Sequence, residues 1–141
     1  MNRRNLLKAS ALAPLAFAPA LHAASPADIT PDTVYELRIY HLNPGKLPLI
    51  LERFRTRETK IFTRLGMTPI AYWSPIDGEL STDTLVYIVR HKSREAARAA
   101  WAAFGKDPEW VALKAESEKG GAFVNKHDIT FLKLTDFSPT L

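Results

Sequence analysis

The chain has 141 residues, of which 46% are hydrophobic and 24% are charged, which is typical of a globular protein with room for one domain. It contains no cysteine, which excludes a disulfide framework, a thiolate metal site and a cysteine nucleophile. The net charge of +4 raises the question of nucleic-acid binding, so the position of the basic residues has to be considered first.

The first 24 residues have the pattern of a cleavable export signal. Arg3, Arg4 and Lys8 precede an apolar run over 9–21, and the segment contains no acidic residue. As a helix that run would rise about 20 Å, too little for a bilayer core of about 30 Å, and two prolines interrupt it. Small residues at 23–25 suit a cleavage site. The Arg3-Arg4 pair resembles the twin-arginine type of signal, which carries folded proteins.

Removal of this segment would change the charge of the protein. It takes away three basic residues and leaves 16 Lys and Arg against 15 Asp and Glu, a net charge of about +1. Such a chain, without a basic run interleaved with aromatics, is a poor candidate for nucleic-acid binding. We therefore expect an exported bacterial protein, for example a periplasmic one, that meets the membrane only during export. Residues 25–33 predict an extended leader before a domain over 34–141.

The first half of that domain predicts a strand, a helix and a second strand. Apolar and polar residues alternate over 34–42, and a turn at 43–45 leads into the helix. The apolar residues of 47–65 form one stripe at about 100° per residue, which predicts a single helix ending at Gly66. Residues 67–74 predict a second strand, at the sheet edge or bulged because of Pro69.

The second half predicts a strand, a broken helix and a last strand. A hairpin connection over 75–83 leads to the most continuous run of β-forming residues, 84–91. Ser93 is expected to cap a helix over 94–104 that Gly105 ends. Asp107 and Pro108 begin a further helical piece that continues to about 118, and residues 129–134 predict the fourth strand.

This β-α-β-β-α-β order predicts an α+β fold, a ferredoxin-like unit with a four-stranded antiparallel sheet in the order 4-1-3-2. Both helices cover one face of such a sheet and leave the other bare. Glu36, Arg38 and Tyr40 share the less apolar face of the first strand, which we expect to be the bare one. A second copy is the simplest cover, so we predict a homodimer with a Glu36–Arg38 ion pair between its sheets.

Several segments together resemble the NIPSNAP family. They are the first strand and turn at 35–40 and 42–46 (YELRIY and LNPGK), the strand with Trp73, the helical start at 107–110 (DPEW) and the terminal 137–139 (FSP). The resemblance covers about 34–141 and implies a dimeric α/β-barrel of ferredoxin-like subunits, with no settled reaction. Better-known relatives can carry two such domains and live in mitochondria, whereas we expect one domain and an export signal in this chain.

Glu58 lies close to the centre of the apolar stripe of the first helix, between Phe54 and Ile61, and is aimed at the sheet. A carboxylate held there has a raised pKa unless it is paired, which is how a general acid or base is made. The alternative is a structural ion pair with an arginine such as Arg38 or Arg55. The sequence leaves both interpretations open.

Two histidines are expected near one end of the sheet, because His41 ends the first strand and His127 is predicted to open the fourth. With a carboxylate they are candidate metal ligands, and one alone is a candidate haem ligand, yet no paired spacing requires either. We therefore predict no metal site and no cofactor, and Glu58, His41 and His127 as the candidate catalytic residues. His91 ends the third strand at the opposite end and cannot join them.

Five aromatic residues are candidates for a ligand pocket between the helices and the sheet, although such residues are also ordinary core material: Tyr72, Trp73, Tyr87, Trp101 and Trp110. The sequence has no nucleophile elbow, phosphate loop, dinucleotide fingerprint or zinc motif, and no spacing argues for a catalytic triad. The sequence evidence for an enzyme is therefore thin.

The sequence supports three functional hypotheses. The first is an exported NIPSNAP-like domain that binds a small, largely apolar molecule between helices and sheet. The second is a cofactor-independent oxygenase or isomerase, as similar dimeric α/β-barrels can be, that uses Glu58 and a strand-end histidine for proton transfer. The third is a structural or interaction module without a pocket. The surroundings of Glu58 separate them, because an ion pair with no cavity beside it would exclude the enzyme.

We predict that replacing Arg3 and Arg4 together by lysine blocks export of the precursor, because the twin-arginine pair is what this route recognises. Cell fractionation followed by immunoblotting would measure it, with Lys8→Arg as a matched change outside the pair. Unchanged export of the double variant would contradict the twin-arginine assignment.

Overall fold

The computed structural model describes residues 29–139, so the predicted export signal lies outside the described residues. The strands are β1 (Val34–Leu42), β2 (Thr68–Trp73), β3 (Thr84–His91) and β4 (Val124–Leu132). The helical elements are α1 (Leu47–Arg53), a π-helical segment (Phe54–Glu58), α2 (Thr59–Arg64), α3 (Arg94–Lys106) and α4 (Pro108–Ser117). A short 3-10 helix (Glu79–Thr82) lies in the connection between β2 and β3.

The sheet has the order β2-β3-β1-β4, and every neighbouring pair is antiparallel. The predicted α+β fold and the strand order 4-1-3-2 are therefore confirmed. β2 is an edge strand whose register with β3 shifts between Pro69 and Ala71, as the proline indicates. Within residues 29–139, no helix has the length and apolar character needed to cross a bilayer.

Local sequence explains where most helices begin and end. Ser93 caps α3 by accepting a 3.1 Å hydrogen bond from the amide of Ala96. Asp107 caps α4 in the same way, and Pro108 occupies its first turn. Gly66, with φ of +81°, follows α2 in the left-handed conformation that ends many helices.

Two predicted boundaries are wrong, and the leader differs from its predicted conformation. α3 continues through Gly105 to Lys106 and ends where the residue before Pro108 must be extended. β4 begins at Val124 instead of 129, because its pairing with β1 starts at Leu42 and outweighs the weak local pattern. The described part of the leader is not fully extended, since Thr33 and Thr30 close a turn around residues 31–32.

The first predicted helix is not a single α-helix. The π-helical segment Phe54–Glu58 separates α1 from α2, and hydrogen bonds of this kind join residues five positions apart. The segment leaves the apolar residues on both sides of it facing the sheet, because Ile50, Phe54, Ile61 and Phe62 are all buried.

The helices cover the opposite face of β1 from the one expected. Tyr40 faces the helices and packs against Phe54 and Tyr87, at ring distances of 6.4 and 5.1 Å. Glu36 is 1% exposed on the same face. The prediction that Glu36, Arg38 and Tyr40 lie on the bare face is wrong, because their polar atoms find partners within the core and their rings and stems fill it.

The face of the sheet that points away from the helices, here called the open face, carries a mainly apolar centre. On this face Leu37 and Ile39 of β1 lie opposite Ile88 and Val86 of β3. Trp73 of β2 lies beside Val86 and is 47% exposed.

Candidate functional site

A cavity of about 280 Å³ lies between the sheet and the helices, and several charged side chains line it. It is bounded by β1 and β4 on the sheet side, by the π-helical segment, and by α3 and α4. Its lining residues are Arg38, Tyr40, Arg53, Glu58, Trp101, Phe104, Trp110, Lys114, Glu118, Ala122, Val124 and His127. We call this space the central cavity.

The π-helical segment brings Arg53 and Glu58 together. The two residues are five positions apart, which is the spacing that a π-helix places in register along its axis. The Nε of Arg53 donates to Oε2 of Glu58 over 2.8 Å, and both side chains are more than 95% buried. The ion pair expected as the alternative therefore exists, but its cation is Arg53 and not Arg38 or Arg55.

Arg53 is held from three further sides. Its Nη1 donates to the carboxylate of Glu118 at 2.8 Å and to the hydroxyl of Ser117 at 3.1 Å. Its guanidinium also lies 5.0 Å from the ring of Trp110 and 4.7 Å from that of Phe123. The arginine is thus a fixed positive charge in the wall of the cavity, and Glu58 shares it with a second carboxylate.

Burial raises the pKa of Glu58 to about 7, even though the charge and hydrogen bond of Arg53 act to lower it. The nearby carboxylate of Glu118 adds to the rise, because two negative charges next to each other are unfavourable. At neutral pH the carboxyl group is therefore divided between its acid and its base form. A group of this kind, open to a cavity, can take or give a proton.

The buried carboxylate of Glu36 fixes a second cation at the cavity. It accepts hydrogen bonds from Nε2 of His91 at 2.8 Å, from Nε1 of Trp101 at 2.6 Å and from Nε of Arg38 at 2.7 Å. Burial opposes its ionisation, but these three donors together lower the pKa of Glu36 below its usual value. Glu36 is therefore a carboxylate anion, and its ion pair with Arg38 lies in the core and not between two sheets.

Arg38 lies flat against an indole at the edge of the cavity. Its guanidinium carbon is 3.6 Å from the centre of the Trp101 ring, while its Nη1 is 3.4 Å from the hydroxyl of Tyr40. That hydroxyl accepts a 2.6 Å hydrogen bond from Tyr87. The cavity wall thus combines two fixed arginines with aromatic rings.

The three candidate catalytic residues do not form one site. Glu58 and His127 both line the central cavity, with His127 exposed on β4. His41 is on the open face, where its Nε2 lies 2.9 Å from Asp128 and this contact lowers the pKa of that carboxyl group. The two histidines are near the same end of the sheet as predicted, but His127 pairs with Tyr40, so they point to opposite faces.

The five candidate aromatic residues are also divided. Trp101 and Trp110 line the central cavity. Tyr72 and Tyr87 belong to the core beneath it, where Tyr72 contacts the hydroxyl of Thr59 at 3.0 Å. Trp73 lies on the open face, because neighbouring residues of a strand point to opposite sides.

Residues 29–139 hold no group of three histidine or acidic side chains placed to bind a metal ion. Among the residues that line the central cavity, His127 is the one histidine that could act as an axial ligand of a haem.

A larger but more open groove of about 420 Å³ runs outside the cavity between α1 and α4. It shares Arg53 with the central cavity, and its other charged residues, such as Glu52, Arg57 and Glu116, are exposed. We assign the candidate site to the smaller space, because Arg53 and Glu58 are buried there and the pKa of Glu58 is raised.

Sequence reasoning missed the two arginines that shape the site. Arg53 lies at the edge of the apolar stripe if α-helical spacing is assumed, and no local signal marks the π-helical segment. Arg38 was assigned to the wrong face of β1. The sequence of β3 contained a signal for the covered face of the sheet. One side of that strand carries the larger side chains Leu85, Tyr87 and Val89, which are buried and pair with the side of β1 that carries Glu36.

Comparison with known proteins gives a consistent family but no assigned reaction. An uncharacterized NIPSNAP-like domain protein from Burkholderia xenovorans is 20% identical with a TM-score of 0.66, over 78% of this chain and 91% of that one. A NIPSNAP family protein from Agrobacterium tumefaciens is 22% identical with a TM-score of 0.65, over 76% of this chain and 97% of that one.

A more distant fold relative is SnoaB, a cofactor-independent oxygenase from Streptomyces nogalater. It is 14% identical with a TM-score of 0.51, over 77% of this chain and 99% of that one. At this identity the likeness shows the fold alone.

No protein of curated function matches the chain. The NIPSNAP family model matches residues 35–139, which is most of the chain. The protein therefore belongs to the NIPSNAP family.

Proposed function

We propose that this protein binds a compact, flat organic molecule in the central cavity. The observation that carries the proposal is that one space between helices and sheet brings together Glu58, with a pKa of about 7, His127 and two tryptophans. Pockets of this type, mostly formed in advance and with a few convergent polar groups, are the usual binding sites of small molecules. An interaction module without a pocket would not account for the charged side chains that are buried around this space.

The wall of the cavity indicates the chemistry of the ligand. Trp110 stacks on Phe104 at 4.4 Å and, with Trp101, supplies aromatic surface for a flat molecule. Arg38 and Lys114 supply positive charge beside it. The ligand is therefore less apolar than the sequence indicates: a ring system with at least one oxygen that accepts hydrogen bonds.

We predict that 4-nitroanisole, a flat neutral probe that absorbs tryptophan emission, quenches the protein's fluorescence with saturation. Trp110→Phe should reduce the amplitude of quenching, because Trp110 lines the cavity, whereas Trp73→Phe should leave the affinity unchanged. Ala122→Phe, which fills the space, should weaken binding about tenfold or more, in line with about 1.4 kcal/mol.

Fluorescence titration and calorimetry measure these effects, and circular dichroism checks that each variant is folded. Quenching that never saturates, or that survives both Trp110→Phe and Ala122→Phe unchanged, would show that the cavity is not the binding site.

We propose as a second function that Glu58 transfers a proton to or from the bound molecule, without a cofactor. The specific observation is the raised pKa of Glu58 next to a cavity that Arg38 also lines. Deprotonation of carbon next to a carbonyl group leaves negative charge on the oxygen, and a fixed guanidinium stabilises that charge. SnoaB, which shares the fold, is itself described as cofactor-independent.

We predict that the protein exchanges the α-hydrogens of 2-tetralone, a compact ketone, for deuterium in heavy water. The Glu58 carboxylate takes the hydrogen as a proton, the enolate forms, and a deuteron returns to the same carbon. Because the base must be ionised, the rate should rise with pH through about 7.

Glu58→Gln should lower this rate by about 10²-fold or more, while Glu52→Gln, a change of an exposed glutamate, should not affect it. Mass spectrometry measures the exchange. Equal rates in the Glu58→Gln variant and the unmodified protein would exclude Glu58 as the base and leave the binding function standing.

We propose that two copies associate through their open faces. The support is the apolar centre of that face, in which Trp73 is 47% exposed beside Ile39, Val86 and Ile88. A patch of this kind in a twofold arrangement meets its own counterpart in the second copy. We also propose, from the first 24 residues, that the chain is exported.

We predict about twice the monomer mass in size-exclusion chromatography with light scattering at micromolar concentration. Ile88→Asp should give monomers, because a carboxylate on the patch would be buried without a partner. Val111→Asp, on the exposed side of α4, is the matched control and should remain dimeric. A clean monomer of the unmodified protein would overturn the proposal.

A further inference from the structure

A second, smaller cavity lies at the end of the sheet, away from the central one. It has a volume of about 150 Å³ and is lined by Gly66, Thr68, Arg90, His91 and Lys92. These residues come from the turn that leads into β2 and from the end of β3. None of the lining residues is acidic, whereas two are formal cations.

Arg90 is the unusual residue of this cavity. It is 6% exposed, and its Nη1 is buried with no hydrogen-bond partner among residues 29–139. The two arginines on the helix-covered side of the sheet behave differently, since Arg38 and Arg53 each donate to a carboxylate at 2.7–2.8 Å. A guanidinium is always charged in a protein, so a buried donor of this kind without an acceptor is costly.

A neighbouring donor is also without a partner. Tyr35 pairs with Arg90 across β1 and β3, so their side chains share one face of the sheet, the open face that also carries Ile88. Tyr35 is 4% exposed, and its hydroxyl has no partner within the described part of the chain. Two buried donors on adjacent strands at one end of the sheet indicate a missing acceptor.

We propose that this cavity binds a small oxyanion, a carboxylate or a phosphate group, with Arg90 as its main ligand. The planar fork of a guanidinium matches the oxygens of both groups, and Lys92 and the hydroxyl of Thr68 add donors at the rim. A volume of 150 Å³ equals that of about five liquid water molecules, which suits a hydrated ion of this size but not a ring system.

The oxyanion site is chemically connected to the central cavity although the two spaces are separate. His91 lines the oxyanion site and donates to Oε2 of Glu36, which in turn holds Arg38 and Trp101 at the central cavity. The oxyanion site does not depend on the ligand binding proposed for the central cavity, because the two spaces share no lining residue.

The test is a titration of the full-length folded protein with sodium phosphate and, separately, with sodium acetate. Each salt replaces sodium chloride at constant ionic strength, and sodium chloride alone is the reference. Chemical shifts of the Gly66 and Lys92 amides and of the Arg90 Nε–H group, followed by NMR, report binding at the site. We expect saturable shifts at these groups with at least one of the two anions. The stronger of the two identifies the group that the site prefers.

Arg90→Gln should weaken anion binding tenfold or more, whereas Arg98→Gln, a change of an arginine whose side chain is 77% exposed, should leave it unchanged. If Arg90→Gln does not fold, Thr68→Val, which keeps the shape and removes the hydroxyl, should weaken binding about threefold. Shifts that follow total salt equally for phosphate, acetate and chloride would overturn the proposal. The proposal would also be overturned if the chemical shift of Arg90 changed with protein concentration and not with anion concentration, because a second copy of the chain would then supply the acceptor.

Discussion

The buried carboxylate of Glu36 joins three parts of the molecule that would otherwise meet only through apolar contacts. It lies on β1, its histidine donor ends β3 and its indole donor is on α3. A carboxylate that is 1% exposed is tolerated only when its oxygens are satisfied, so sheet and helix must meet where all the donors reach it. The same anion holds Arg38, and with it the cationic side of the central cavity.

Glu58 shows the opposite balance. Its single cation is shared with Glu118, and burial therefore prevails over the attraction of Arg53. Because its folded pKa of about 7 lies above the ordinary 4.5, its protonated form is favoured by folding. This contribution to stability is fully present below about pH 4.5 and is lost as the pH rises through about 7, on the order of 3 kcal/mol in all. The chain thus gives up stability at neutral pH to keep a titratable group at the cavity, as functional sites often do.

The order of the elements was predictable, because it rests on periodicity, caps and turns. The position of Glu58 was predictable for the same reason, as were Trp101 and Trp110, which share their helices' inner sides. The partner of Glu58 was not predictable, since α-helical spacing separates positions 53 and 58 and only the π-helical segment aligns them.

The covered face of β1 could not be identified from β1 alone. A count of apolar side chains favoured the face with Leu37 and Ile39, but the interior took Tyr40 and the stems of polar residues whose partners come from elements distant in sequence. The strand-end histidines were assigned to one end correctly, but the face that each occupies depends on the register of β4 against β1, in which His127 pairs with Tyr40. Contacts of this type are set by register, which no single strand encodes.

The π-helical segment makes the site depend on the number of residues in one turn. A π turn holds more residues than an α turn, and each residue of an α-helix advances the chain by about 100°. The segment therefore absorbs one residue more than a regular helix would need, while α1 and α2 keep Ile50, Ile61 and Phe62 turned toward the sheet. Loss of a single residue between 53 and 58 would allow one uninterrupted α-helix with the same buried side, and the two charged residues would then be four positions apart and still adjacent. A regular α-helix of the present length would instead place positions 53 and 58 about 140° apart and break their ion pair. Arg53 and Glu58 can therefore meet either across a π segment or, in a chain one residue shorter, on a regular helix.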